Sequence, residues 1–173
     1  EDGKEYEIRR RRYLNKEGQE YLRWTFGEKK LSEFFERDKT QTGTGRVYEG
    51  HIKKEPKDQK GLVEKRVYEK GAVKEVTTYE EGDKPVMSDR KVLNHQRQVV
   101  RSYVYKDGKE LGYWQNEFVG KRWDSPLKKQ RFFEKDGEDY KEGREREFER
   151  DEDERVRKVR EYSYNSVAKR EEM

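Results

Sequence analysis

The stretch GLVEKRVYEKGAVKEVTTYEEG, from Gly61 to Gly82, decides the fold class. Alternate residues from Val73 to Tyr79 would share one face of an extended chain, and such period-two spacing is typical of a β-strand. Gly71 stands between two such segments and supplies the positive φ that a hairpin turn needs. The stretch therefore predicts a β-hairpin, in which we expect the many Lys, Arg and Glu side chains to pair across the strands.

The same pattern recurs along the chain. Glycine-containing turn signals follow one another about every ten residues, and alternating segments lie between them, as at 22–26, 99–105 and 156–164. Charged residues make up 47% of the chain and hydrophobic residues only 28%, so few apolar side chains are present to fill two facing layers. We predict an all-β fold, an elongated antiparallel meander of repeated hairpins in a largely single-layer, twisted sheet. We expect the chain to supply little cover of its own for the apolar face of that sheet.

Three segments lack the plain hairpin pattern. The polar stretches 37–45 and 53–61 are predicted to be exposed loops. The segment 143–164 is predicted to be a hairpin that turns at Asp151–Glu154, because the residues from Val156 onward alternate cleanly. A C-terminal helix with Glu–Arg pairs four residues apart is the alternative for that segment.

Length and composition bound the class of protein. The 173 residues are predicted to form one repeat domain over 1–165 and a frayed tail over 166–173. Cysteine is absent, which excludes disulfides, cysteine–zinc sites and thiol nucleophiles and favours a reducing compartment, the cytoplasm or an organelle interior. No apolar run reaches the length of a membrane span, so we expect a soluble protein, and a start at Glu1 leaves room for a removed leader. The net charge of +4 is a weak basic bias.

No residue pattern predicts catalysis or a cofactor. The two histidines, His51 and His95, have no second ligand at metal-binding spacing, so no metal site is expected. The glycine-rich TGTGR at 42–46 lacks the Lys–Ser/Thr pair and the following helix of a phosphate-binding loop. Carboxylates are abundant, but they form no recognisable acid–base pair. We therefore expect a protein that is not an enzyme and that binds no cofactor.

Two sets of residues are candidates for binding. Packing within the sheet is the plainer interpretation of the aromatic set, whereas an exposed aromatic stripe would be a partner site. For the densest basic run, a charged edge strand that resists aggregation is the plainer interpretation, and contact with an anion is the alternative. The partner-binding candidates are Trp24, Tyr103, Tyr105, Tyr113, Trp114, Phe118 and Trp123, and the anion-binding candidates are Arg9, Arg10, Arg11 and Arg12.

Several segments resemble the MORN and MORN-variant repeats, including the variants labelled as antitoxin components in bacteria. Residues Tyr68–Gly82 fit the spacing aromatic–x–x–Gly–x–Leu/Val–Lys followed by aromatic–x–x–Gly. GTGRVYEG at 43–50 is similar to the Gly–x–Gly…Tyr–x–Gly core of that family. YKDGKELGYWQNEF matches its Gly–x–Trp element through Gly112 and Trp114. These matches carry the resemblance.

The resemblance covers about residues 10–150, although Pro85 and NHQRQ at 94–98 replace the expected turn chemistry. It implies an elongated sheet of stacked hairpins that serves as a scaffold or binding surface and offers no catalytic residues to carry over. We therefore predict a non-catalytic protein–protein interaction or scaffold protein, an accessory subunit that binds other protein subunits of a larger assembly. A protein that binds RNA or an anionic membrane surface through Arg9–Arg12 is the alternative.

Overall fold

The computed structural model of this chain describes residues 10–80, 82, 84–165 and 168–170. These residues form strands joined by turns and loops, and no helix occurs among them. Strand order follows chain order, and the registers described between consecutive strands are antiparallel, so the predicted all-β antiparallel meander is confirmed. The strands are β1 (Arg10–Leu14), β2 (Glu20–Thr25), β3 (Leu31–Arg37), β4 (Gly43–Glu49), β5 (Leu62–Glu69), β6 (Ala72–Glu80), β7 (Val86–Leu93), β8 (Val99–Lys106), β9 (Lys109–Phe118), β10 (Leu127–Asp136), β11 (Asp139–Arg150), β12 (Val156–Asn165) and β13 (Ala168–Arg170).

The chain divides into two compact units between Met87 and Ser88, within β7. The single repeat domain predicted over 1–165 stays a prediction. In the tail predicted over 166–173, residues Ala168–Arg170 form the last strand and pair with β12, and the other tail residues lie outside the described residues. A helix long and apolar enough to cross a membrane is absent from the described part of the chain.

The hairpin predicted around Gly71 is formed by β5 and β6. Lys70 and Gly71 make its turn with φ angles of 50° and 78°, the paired positive values that suit a two-residue hairpin loop. The predicted pairing of charges across this hairpin occurs between Glu69 on β5 and Lys74 on β6, whose charged groups lie 3.2 Å apart. In addition, the Arg66 guanidinium contacts Glu64 on its own strand. Charge pairing in this hairpin therefore runs both across the two strands and along one of them.

One face of the first unit carries a compact apolar cluster. Its members are Leu22, Phe34, Tyr48 and Leu62, with Tyr13, Trp24, Ile52 and Tyr79 packed against them. The segment after β4 is held to this cluster, since the Trp24 indole donates to the carbonyl oxygen of Ile52 at 3.0 Å. The Ile52 amide in turn donates to the Ser32 hydroxyl at 2.7 Å. The expectation that the chain covers little of its own sheet is therefore wrong for this face.

The opposite face of the first unit centres on a buried carboxylate. Glu33 is 5% exposed. It accepts hydrogen bonds from the Tyr68 hydroxyl at 2.7 Å and from Arg66 Nη1 at 3.1 Å, across the intervening strand β4. Gly45 lies on that strand, and a Cβ atom at its position would come within 2.8 Å of a Glu33 carboxylate oxygen. The absence of a side chain at Gly45 therefore leaves space for the Glu33 carboxylate of β3 to reach Arg66 and Tyr68 of β5.

The second unit places aromatic pairs on both faces of its strands. Trp114 faces Phe132 in the register, and their rings lie 5.1 Å apart. The next residues along each strand, Tyr113 and Phe133, stack 5.0 Å apart on the other face, because side chains alternate. On that second face Glu145 is 7% exposed and accepts hydrogen bonds from Lys129 and Arg131, so a buried carboxylate recurs in this unit.

The predicted polar loop over 37–45 is wrong in extent. A short turn from Asp38 to Thr42 connects β3 to β4, and β4 already begins at Gly43. The Asp38 carboxylate accepts hydrogen bonds from the amides of Thr40 and Thr42, which closes the turn within five residues. The loop predicted over 53–61 is confirmed, since this segment lies between β4 and β5 without a strand of its own.

The segment 143–164 is a hairpin, as predicted, and the helical alternative is wrong. Strands β11 and β12 pair across it, with Phe148 facing Val159. The turn is closed by the Asp151 amide, which donates to the carbonyl oxygen of Arg155 at 3.0 Å. Alternation in this segment therefore outweighed the helix-like spacing of its Glu and Arg residues.

Candidate partner-binding surface

The turn from Asn94 to Gln98 joins β7 to β8 and is stiffened by its own side chains. The Asn94 amide donates to the Gln98 carbonyl oxygen at 3.0 Å, and the Arg97 amide donates to the Asn94 carbonyl oxygen at 3.0 Å. The Asn94 side-chain oxygen accepts from the amides of Gln96 and Gln98, both at 3.0 Å. This five-residue turn therefore holds His95, Gln96 and Arg97 in a fixed arrangement.

The same turn occurs in the first unit at Asn15–Gln19. There the Asn15 side-chain oxygen accepts from the amides of Glu17 and Gln19, and the Gly18 amide donates to the Asn15 carbonyl oxygen. Gly18 has a φ of 77°, and Arg97 occupies the corresponding position with a φ of 64°. NHQRQ is therefore not a departure from the turn chemistry of the chain. It is the same turn, with an arginine at the position that prefers glycine.

The loop from Val119 to Pro126 joins β9 to β10 and is also braced. The Val119 amide donates to the Pro126 carbonyl oxygen at 3.0 Å. Inside the loop the Ser125 amide donates to the Arg122 carbonyl oxygen, and the Arg122 amide donates to the Ser125 hydroxyl, each at 3.0 Å. A Cβ atom on Gly120 would approach that hydroxyl to 2.9 Å, so the loop is tightly packed at this point.

Gln98 joins the turn to the loop. Gln98 is buried, with an exposed fraction of only 4%. The Gln98 side-chain nitrogen donates to the carbonyl oxygens of Gly120 at 3.0 Å and Arg122 at 2.7 Å. Its side-chain oxygen accepts from the Asn94 side chain at 2.7 Å. One buried amide thus satisfies main-chain groups of the loop and a side chain of the turn, which fixes the two segments against each other.

The outer surface of these two segments is open and carries a large aromatic side chain. Trp123 is 73% exposed and Val119 is 64% exposed, both on the 119–126 loop. We name the turn 94–98 together with the loop 119–126 the loop-pair surface. A cavity of about 550 Å³ opens on it and is lined by His95, Gln96, Arg97, Lys121 and Trp123.

The loop-pair surface is basic. Arg97, Lys121 and Arg122 are cationic at neutral pH, and Asp124 is the one acidic residue in the two segments. Asp124 lies 3.0 Å from the Arg122 guanidinium, so this carboxylate already has a cationic partner. The remaining positive charge belongs to Arg97 and Lys121, which both line the cavity.

The other predicted aromatic residues pack within their own unit. Tyr103 and Tyr113 lie 5.3 Å apart, with Arg90 and Arg101 stacked over them, and Trp114 lies under the Arg146 guanidinium. The Tyr105 hydroxyl donates to Glu110. Phe118 ends β9, directly before the 119–126 loop, and Trp24 belongs to the cluster of the first unit. Of this predicted set, Trp123 lies on the loop-pair surface and the others lie on strands.

The basic run places three exposed arginines on one strand. Arg10, Arg11 and Arg12 lie on β1, and Arg9 lies outside the described residues. Arg11 stacks over the Phe26 ring at 5.8 Å, and Arg12 faces Arg23 in the register with β2. The anion-binding interpretation of this run stays a prediction.

Comparisons with known proteins do not identify a function for the loop-pair surface. No profile of a known protein family matches the chain, and no curated protein matches it. The resemblance to MORN-variant repeats therefore stays a prediction. Across the described residues, no group of three or more His, Asp or Glu side chains is arranged to hold a metal ion.

Sequence reasoning named Trp123 but missed the surface around it. The sequence does not show that Gln98 joins the two segments, because its partners Gly120 and Arg122 lie 22 and 24 residues further along the chain. A signal was nevertheless present, because NHQRQ repeats the Asn–x–x–x–Gln spacing of NKEGQ at 15–19. That spacing would have identified the segment as a side-chain-closed turn rather than as an interruption of the repeat.

Proposed function

We propose that this protein is a non-catalytic interaction protein that binds another protein subunit of a larger assembly through the loop-pair surface. The observation that carries the proposal is the exposure of Trp123, at 73%, on a loop held from behind by Gln98. Tryptophan is a costly residue to leave in water, since its ring is large and mostly apolar. It is also the residue type most enriched among interface hot spots, together with arginine and tyrosine.

Rigidity of the loop supports the same function. A partner that binds a preorganised surface loses less conformational entropy than one that must first order it. The internal bonds of the 119–126 loop and the Gln98 bonds supply that order before any partner arrives. Arg97 and Lys121 beside the ring add the charged contacts that set orientation and specificity in protein complexes.

The sheet supports a scaffold role rather than a reaction. Its buried carboxylates, Glu33 and Glu145, accept hydrogen bonds from basic side chains of other strands, so both already have cationic partners within the fold. The resemblance to MORN-variant repeats points the same way, because it implies sheets that serve as scaffolds and binding surfaces. We propose on this basis that the strands present the loop-pair surface and take no part in catalysis.

The test is affinity capture from the source organism with three forms of the chain: wild type, Trp123→Ala and Tyr21→Ala. Tyr21 is the matched control, since it is an aromatic residue 45% exposed in the other unit. We expect one protein to be retained by the wild type and by Tyr21→Ala and to be lost with Trp123→Ala, with all three forms equally folded by circular dichroism. Equal retention by Trp123→Ala, or retention of no protein by the wild type, would overturn the proposal.

A further inference from the structure

The charged residues of the loop-pair surface indicate the chemistry of the partner that this surface would bind. We propose that the partner presents a short acidic segment, with a carboxylate in the cavity lined by Arg97 and Lys121 and an apolar side chain against Trp123. This inference rests on the proposed function.

The charges that line the cavity favour an acidic ligand. The cavity wall contains two basic side chains, Arg97 and Lys121, and no carboxylate. Asp124, the acid on the same loop, is engaged by Arg122 at 3.0 Å. A ligand that enters the cavity therefore meets positive charge, and a carboxylate can receive charge-assisted hydrogen bonds from guanidinium and ammonium groups. A basic segment would be repelled.

The limited extent of the positive charge favours a protein over a nucleic acid. On β10, directly after the loop, Lys128 lies 3.1 Å from Glu117, and Lys129 lies 2.9 Å from both Glu145 and Glu147. The two lysines at the start of β10 are therefore paired with carboxylates and do not extend the positive charge of the loop. Nucleic-acid affinity comes largely from contacts with several successive phosphates, which need a continuous basic track. A single carboxylate needs only the two cations of the cavity.

The shape of the surface suits a short peptide segment. A cavity of about 550 Å³ lies in the range of small-ligand sites, and it opens beside a flat aromatic ring. An acidic side chain can enter the cavity while a neighbouring Leu, Ile or Val packs on the indole. Such a pair, one charged and one apolar side chain, is what a short peptide segment presents.

Direct binding to defined probes tests the inference. The probes are a fluorescein-labelled dodecapeptide of Glu and Leu, the same peptide with Gln in place of Glu, and a dodecanucleotide of uridine, each titrated by anisotropy. We expect the Glu peptide to bind about tenfold more tightly than the Gln peptide at low salt, and this preference to shrink at high salt. Equal affinity for the two peptides would overturn the inference, and tighter binding of the oligonucleotide would replace it with a nucleic-acid site.

Charge-reversed variants locate the binding. Arg97→Glu and Lys121→Glu should each weaken the Glu peptide about tenfold, because each removes an attraction and adds a repulsion. Lys39→Glu makes the same change of net charge on an exposed turn of the other unit and should change the affinity less than about twofold. An equal effect of all three variants would overturn the inference. If instead the partner captured through Trp123 binds Arg97→Glu and Lys121→Glu as well as wild type, the acidic segment is wrong and the proposed function stands.

Discussion

The Gln98 side-chain nitrogen lies 2.7 Å from the carbonyl oxygen of Arg122, the residue directly before the exposed Trp123. This bond joins two segments that are far apart in sequence and places the back of the 119–126 loop against the 94–98 turn. Because Gln98 is buried, its amide has no water to replace a lost partner. The position of Trp123, the most exposed tryptophan of the described residues, thus depends on a side chain that is itself buried.

Replacing Gln98 by Ala should release the loop. The carbonyl oxygens of Gly120 and Arg122 would lose their donor, so we expect a loss of about 1–3 kcal/mol in the free energy of unfolding. Faster hydrogen exchange at the amides of Val119 and Ser125 should accompany it, as these amides close the loop. The matched control is Gln19→Ala, whose side chain bonds Asn15 within its own turn, and we expect about 0.5 kcal/mol there. Equal losses for the two variants would contradict the role given to Gln98.

Replacing Arg97 by Gly separates stability from binding. Arg97 has a φ of 64°, a conformation that penalises any residue with a Cβ atom, so Arg97→Gly should raise the free energy of unfolding by about 1 kcal/mol. The same variant should weaken partner binding, because the guanidinium is lost from the cavity. The reverse change in the twin turn, Gly18→Arg, should lower stability by about 1 kcal/mol and leave binding unchanged. Urea unfolding and affinity capture check both halves, and a destabilised Arg97→Gly would contradict the account of the turn.

The strands were readable from sequence because their signal is local. Alternation from Val73 to Tyr79 and the Gly71 turn are properties of neighbouring residues, and the structure has both. The start of β4 at Gly43 was missed because its first residues are Gly and Thr, which also suit a loop. The cover of the first unit by Ile52 was missed for another reason, since it depends on contacts with Trp24 and Ser32 across two strands.

The buried carboxylate of the first unit should matter more than an exposed one. Glu33→Gln removes the charge that faces Arg66 and Arg23, and we expect a loss of about 2 kcal/mol in the free energy of unfolding. Glu36→Gln is the matched control on the same strand, since its side chain is 67% exposed and pairs with Arg46. We expect less than about 0.5 kcal/mol for that control. Chemical denaturation measures both, and a loss at Glu36 equal to or larger than that at Glu33 would contradict the stabilising role given to Glu33.

Acid should weaken the second unit through Glu145. Burial acts to raise the pKa of this carboxyl, but hydrogen bonds from Lys129 and Arg131 hold the pKa below its ordinary value of 4.5. Its folded pKa is thus lowered, so the ionised form contributes stability above pH 4.5, and that contribution is lost as pH falls through the folded pKa. The free energy of unfolding of wild type should therefore fall more steeply below pH 4.5 than that of Glu145→Gln. Parallel curves for the two proteins would contradict this role.

The candidate surface was only partly predictable from sequence, and the reason is physical. Trp123 was identifiable as an aromatic residue, but its exposure depends on the shape of the 119–126 loop. That shape is set by a hydrogen bond from Gln98, which lies in the turn between β7 and β8. The partners of Gln98 are brought to it by the register of β8 against β9, where Arg101 faces Gln115. Contacts of this kind form only when the strands have assembled into the sheet, whereas the periodic pattern of the sequence predicts only the individual strands.

The environment of the Trp123 indole on partner binding tests the central claim most directly. The chain has three tryptophans, and an ¹⁵N-labelled sample should give one indole signal for each, assigned by single Trp-to-Phe replacements. Addition of the protein captured through Trp123 should shift or broaden the Trp123 signal and leave the signals of Trp24 and Trp114 in place, since those two rings pack within the units. An unchanged Trp123 signal at saturating partner, or a change confined to Trp24 and Trp114, would contradict the loop-pair surface as the binding site.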